Sequence, residues 1–253
     1  MNKSKYSIGL VSVSFREHTP ERILEAMTEC GLKYIEWGSD IHAPCKDIER
    51  LERLSSLQKE LGILCSSYGT YFRLGVTPLS ELTDYIKAAK ILGTNILRVW
   101  CGNKSGEEMN EEEAEALLSE CRLAAEIAKN HGVILCTECH RKTFTERSTD
   151  SLRLIRELNS PFFKTYWQPF QWKSEEENLA YAEAIAPYAL HVHAFQWKNE
   201  HKFPLRDGIS EWQKYLEKLP APRTVLLEFM PDGRIESLPD EAESLRRIID
   251  ESR

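Results

Sequence analysis

Residues 110–138, NEEEAEALLSECRLAAEIAKNHGVILCTE, hold one complete copy of the pattern that organises the whole chain. Asn110 and Glu113 have the spacing of a capping box, in which each side chain takes up the other's orphan backbone N–H at a helix start. Leu117, Leu118, Cys121, Ala124, Ala125 and Ala128 then recur at helical spacing and form one apolar face. Gly132 follows, where a helix end needs the left-handed backbone that glycine adopts cheaply. Residues 133–137 are short and apolar, as in a buried strand, and Glu138 stands where that run ends. The acidic stretch 107–115 reads as the solvated start of the helix, favoured there by the helix dipole.

The same unit recurs in both directions. Strands are expected at 7–14, 34–37, 63–67, 96–100, 133–137, 163–167, 190–194 and 224–229, about 30 residues apart, as in successive βαβ units. Thr19-Pro20, Thr77-Pro78 and Ser174 with Glu177 mark helix starts, and Gly31, Gly62 and Gly93 mark ends. Ile48, Leu51, Leu54, Leu57 and Leu61 give a second helix its apolar face. No linker or low-complexity run divides residues 1–253, which reads as a single domain. Eight strand–helix pairs, with no glycine-rich dinucleotide fingerprint after an early strand, predict the α/β class and a closed (β/α)8 TIM barrel.

Bulk properties narrow the function. A net charge of −7 gives no electrostatic footprint for nucleic acid. The start, 1–10, has two lysines and an apolar run too short for a signal peptide, and no stretch approaches the roughly 18 apolar residues of a membrane span. Seven cysteines, odd in number and scattered, fit a reducing compartment, and a cytoplasmic location is expected. Cys136 and Cys139 form a CxxC inside a strand with no second pair, and read as small buried thiols.

In such a barrel chemistry sits at the carboxyl ends of the strands. Those ends carry Glu36, Trp37, Asp40 and His42, then Glu138 and His140, Trp167 and Gln168, His191 and His193, and Glu228. A carboxylate so close to a buried strand must be paired, protonated or metal-bound. Glu138 and Glu228 together with His193 make a divalent-metal site the reading of choice, because carboxylate and imidazole suit Zn, Mn and related ions. His191 shares a face with His193 and is equally an interior hydrogen-bonding residue. Of six tryptophans, Trp37, Trp100, Trp167, Trp172 and Trp197 fall at or beyond strand ends, where flat rings cover the C–H face of a small polyol or pack the barrel top.

These strand-end segments, YIEWGSDIHAP (34–44), SYGTYFRLG (67–75), LRVW (97–100), ECH (138–140), YWQP (166–169) and HVHAF (191–195), resemble the xylose-isomerase-like TIM-barrel superfamily of sugar isomerases and epimerases over essentially the whole chain. In its ketose 3-epimerases a Glu, an Asp, a His and a Glu from strands five to eight hold one divalent ion. Glu138, His193 and Glu228 match three of these, while Gln168 stands where the Asp is expected and Gln171 where a His often follows. Gln168 still offers an amide oxygen as a ligand, with one negative charge fewer. The resemblance implies one Mn, Zn, Co or Mg ion and a small, unphosphorylated ketose or polyol as partner. It implies isomerase or epimerase chemistry by proton transfer through a metal-stabilised enediolate, with Glu138 and Glu228 as base and acid on opposite faces. His42, Tyr68, Arg98, Trp100, His140, Trp167 and Trp197 become substrate-contact candidates, Arg98 alternatively closing a structural ion pair. Homo-oligomers are common among relatives. Competing readings are an inosose-like dehydratase, a non-catalytic polyol-binding barrel, which the Gln168 replacement favours, and an abasic-site endonuclease, which needs more His and Asp ligands than are placed here.

Overall fold

In the computed structural model, which describes residues 6–220 and 223–251, strands and helices alternate as expected. In chain order they are β1 (Tyr6–Val11), α1 (Pro20–Glu29), β2 (Tyr34–Gly38), α2 (Ile48–Glu60), β3 (Leu64–Leu74), α3 (Leu82–Leu92), β4 (Ile96–Cys101), α4 (Glu111–His131) and β5 (Ile134–Thr137). There follow α5 (Ser148–Leu158), β6 (Phe163–Trp167), α6 (Glu175–Ile185), β7 (Ala189–Ala194), β8 (Gln196–Lys198), β9 (His201–Phe203), α7 (Ile209–Lys218), β10 (Arg223–Leu227) and α8 (Leu238–Glu251). Strands β1 to β7 and β10 form a closed barrel in the order β1-β10-β7-β6-β5-β4-β3-β2, while β8 and β9 make a separate two-stranded sheet. The expected (β/α)8 fold is what the chain adopts. Residues 1–5, which carry half of the reading of the chain's start, lie outside the described residues.

The chain divides into two compact units. One comprises the residues up to Trp37, Ser56–Ser66 and everything from Trp167; the other comprises Gly38–Ser55 and Ser67–Tyr166. In the first, β1 pairs in parallel with both β10 and β2, and β10 pairs with β7. Gly9 makes the approach of β2 to β1 possible: a Cβ there would lie 2.1 Å from the Tyr34 carbonyl oxygen. In the second, β3, β4, β5 and β6 pair in sequence, all parallel.

The capping boxes at Asn110 and Ser174 form, and Thr19 caps α1 by accepting from the Arg22 N–H. The α4 face is buried as expected. Three expectations are corrected. Thr77-Pro78 opens a 3-10 turn and α3 starts at Leu82, because the Thr77 hydroxyl accepts from the Arg73 N–H instead of capping a helix. Ile48 is exposed at the first position of α2, whose buried stripe runs through Leu51, Leu54, Ser55 and Gln58. Strand β3 runs on to Leu74, past a register shift between Gly69 and Arg73. That bulge holds Thr70, whose hydroxyl donates to the Arg98 carbonyl at 2.6 Å, and it turns Tyr71 edge-on to Trp100 with centroids 5.2 Å apart.

Candidate metal centre

The second unit places Glu138 one residue beyond β5. Its backbone is fixed from both sides: the amide donates to the Val99 carbonyl, and the carbonyl accepts from the Thr145 hydroxyl at 2.6 Å. Its side chain is buried, and one oxygen, Oε2, accepts from both the Arg98 guanidinium and, at 2.7 Å, the Trp100 indole N–H. Arg98 and Trp100 lie two apart in β4 and so share a face. Arg98 is itself buried, which makes this a desolvated, hydrogen-bonded ion pair. Over Trp100 lie the His140 ring, with centroids 4.5 Å apart and planes tilted by 30°, and the Arg73 guanidinium at 4.5 Å. His42 is buried in the turn after β2.

The first unit gathers a different set around one imidazole. His193, on β7, is fully buried. Its Nδ1 lies 3.2 Å from Gln168 Oε1 and 3.4 Å from Glu228 Oε2, and its Nε2 lies 3.6 Å from Glu36 Oε2. Glu228 follows β10 directly, with its amide donating to the Ala194 carbonyl. The next residue, Phe229, has φ 57°, a left-handed backbone uncommon for an aromatic residue, and its N–H donates to the Ser14 hydroxyl at 3.0 Å. His191, two residues before His193, has Nε2 3.3 Å from the Ser66 carbonyl oxygen, and burial pushes its pKa down to about 4, so it sits in the interior as a neutral ring.

Glu138, His193 and Glu228 can each offer one ligand atom, and these atoms all lie within 4.8 Å of one another. Two carboxylate oxygens and an imidazole nitrogen are the donor chemistry of a divalent-ion site, and the Gln168 amide oxygen beside His193 is a further donor of the same hard type, so the residues present fit such an ion.

The remaining candidates lie elsewhere. Trp167 is buried with its ring against Trp212 and Tyr215 of α7, at 5.9 and 5.0 Å. Trp37 donates its indole N–H to Gln58 of α2. Both point away from the carboxylates, because alternation along a strand sends Gln168 and Glu36 the other way. Tyr68 is buried against Tyr85 of α3 and donates its hydroxyl to the Ala43 carbonyl at 2.5 Å. Trp197 sits on β8, edge-on to Phe229 with centroids 5.5 Å apart and with Lys202 across both rings. Cys136 and Cys139 are buried free thiols. Sequence reasoning placed Glu36 among the polar residues at the strand ends but gave it no role beside the ligands; its signal was a carboxylate between the apolar Ile35 and Trp37 of one short strand.

Fold and site together define a (β/α)8 barrel with a buried carboxylate–imidazole cluster at the carboxyl ends of its strands. The family described as xylose isomerase-like TIM barrel matches residues 24–251, and the chain belongs to it. The 3-dehydroshikimate dehydratase of Bacillus anthracis is 23% identical over 199 residues, 75% of this chain and 70% of that protein. Among solved structures, a probable 3-DHS dehydratase from Bacillus anthracis superposes with a TM-score of 0.82 at 17% identity, covering 95% of this chain and 98% of its own. A Mycobacterium smegmatis member of the family, solved in complex with magnesium, gives 0.71 at 14% identity, over 99% and 98%. D-psicose 3-epimerase from Clostridium cellulolyticum H10, solved with D-tagatose, gives 0.67 at 13% identity, over 97% and 95%. At these identities the structures share the fold.

Proposed function

We propose that this chain is a divalent-metal-dependent enzyme that takes a proton from the carbon beside a carbonyl in a small, unphosphorylated polyhydroxylated ketone, with loss of water as the outcome. The observation that carries the choice is the double occupation of Glu138 Oε2 by Arg98 and Trp100. Two donors, one of them permanently charged, hold that carboxylate ionised and fixed, which suits a ligand. Glu228 faces the Nδ1 edge of the His193 imidazole, and takes the role of proton carrier. Elimination on one face needs one such carrier: it accepts the C–H proton, the hydroxyl on the adjacent carbon departs, and the same carboxyl returns the proton to it as water. When bound, the ion supplies positive charge opposite the substrate oxygen on which negative charge builds. Glu138, His193 and Glu228 hold it, with Gln168 as a fourth donor. The dehydratase relative supports this outcome.

The second reading is a sugar isomerase or epimerase, favoured by the closeness of the Glu138 and Glu228 ligand atoms and supported by the epimerase fold likeness. It requires Glu138 to use its other oxygen as the acid on the opposite face. In either reading we assign His42, Trp100, His140 and Trp197 to the substrate wall, and Arg98, Tyr68 and Trp167 to holding it in place. The family match runs through both units, which supports treating residues 1–253 as one domain. The seven free cysteines support a cytoplasmic location, and among the described residues no helix is long and apolar enough to cross a membrane.

The test is to load the purified protein with Mn, Zn, Co or Mg, incubate it in deuterated water with 3-dehydroshikimate and separately with D-psicose, and follow mass. Loss of water from the first with about one ion per chain supports the proposal. A deuterated epimer of the second installs the other reading. Several zinc ions per chain point to nuclease chemistry, and no ion with either substrate leaves a binding barrel.

A further inference from the structure

Glu36 is a fully buried carboxylate that the mechanism above does not use. It is the third residue of β2, opposite Val11 of β1 in the register, and the carbonyl of its neighbour Ile35 is fixed by the Ser66 hydroxyl at 3.0 Å. Trp37 turns outward to Gln58, so Glu36 points to the barrel interior, where its Oε2 faces Nε2 of His193 at 3.6 Å. We propose that Glu36 is a positioning residue that fixes the tautomer of His193, holding the proton on Nε2 and leaving the Nδ1 lone pair for the ion. This rests on the reading of the site as a metal centre and adds a named partner to it.

The argument comes from the two edges of one ring. A neutral imidazole has one N–H and one lone pair, and its neighbours decide which nitrogen carries which. On the Nδ1 edge lie Gln168 Oε1 and Glu228 Oε2, at 3.2 and 3.4 Å. Both are hydrogen-bond acceptors, and by themselves they would draw the proton to Nδ1, the nitrogen that must be bare if these same oxygens are to share an ion with it. A competing acceptor is needed on the other edge, and Glu36 supplies a carboxylate there. At 3.6 Å the contact is an ion-pair separation and longer than a formed hydrogen bond. A carboxylate behind a metal-bound histidine in this way also raises the basicity of the ligand, and removing such a partner costs about 10- to 100-fold in metal affinity.

The experiment uses full-length protein labelled with 15N-histidine, with the His193 nitrogens assigned by their disappearance in His193→Gln. In ion-free wild-type protein we expect His193 to be predominantly the Nε2–H tautomer, and in Glu36→Gln a mixture or the Nδ1–H form. Titration with Mn is expected to show an affinity about 10- to 100-fold lower for Glu36→Gln. A Glu36→Gln protein that melts as a folded chain, with wild-type Mn affinity and an unchanged tautomer, overturns the proposal. Should Glu36→Gln not fold, Glu36→Asp withdraws the carboxylate by one methylene, and a severalfold loss of affinity with partial tautomer mixing is expected; no change in either overturns it equally. If wild-type protein takes up no Mn and the tautomer still depends on Glu36, the positioning role stands and the metal reading falls.

Discussion

Glu138 and Glu228 are the same residue at the same place in the barrel, each one position beyond the end of an apolar strand, yet their surroundings differ in kind. Glu138 has a buried guanidinium and an indole N–H on a single oxygen. Glu228 lies beside a neutral-capable imidazole and an amide oxygen's neighbourhood. One carboxylate oxygen is tied down by a permanent cation and an indole N–H, while the other carboxylate faces a ring nitrogen across 3.4 Å. Both offer a ligand atom, and the comparison picks out the one without the charged donor, Glu228, as the proposed proton carrier.

The largest expected effect falls on activity. Glu228→Gln removes the proton carrier and should slow substrate proton exchange by about 10²- to 10⁴-fold, while the melting temperature of ion-free protein stays near the wild-type value. Equal loss of stability in Glu138→Gln and Glu228→Gln would erase the distinction between the two sites. Next comes Arg98→Met, which takes the buried cation away from the Glu138 carboxylate and should destabilise the fold by about 3–5 kcal/mol in urea titration. Double replacement with Glu138→Gln should restore part of that, since neither charge is then left alone.

A buried carboxylate far along the chain from these, on α8, calibrates the pair. Glu241 of α8 accepts from the Leu205 N–H, and burial raises its pKa to about 7. The native state therefore holds this proton more tightly than the unfolded chain does. Stability from this group is full below the unfolded pKa of 4.5 and declines as pH rises towards 7, by at most about 3 kcal/mol. Glu241→Gln should flatten the stability profile over that window, and a profile identical to wild type would show that Glu241 ionises without penalty. The smallest effect is Trp100→Phe: one hydrogen bond to a charged group is lost while Arg98 keeps its own, a change of about 1.5 kcal/mol in stability.

The barrel was legible because its determinants are local. Caps, terminal glycines and apolar runs each act within one helix or strand, as at Asn110, Gly132 and residues 133–137. Glu138, His193 and Glu228 were legible for the same reason, as polar residues ending apolar runs. What escaped is set by register and by which side a residue faces. Arg98 reaches Glu138 because β4 and β5 pair with Arg98 opposite Cys136, which no single strand announces. The tryptophans were read by their place at strand ends, but Trp167 and Trp37 face the helices because an odd step along a strand reverses direction. The β8–β9 hairpin was missed because its strands are three residues each and mostly polar, and its turn residue Asn199 has φ 54° without the usual glycine beside it.

Phe229 has a consequence for anyone who wishes to retune this rim. Its left-handed backbone makes the step after Glu228 a fixed corner, tied down by Ser14 and faced by Trp197. A library that samples valine or isoleucine at 229 would ask a β-branched side chain to occupy a conformation it resists, and the chain would answer by shifting the corner. Selection at that position would then be choosing the aim of Glu228 under the guise of choosing a pocket wall, whereas asparagine or glycine would alter the wall and leave the aim alone.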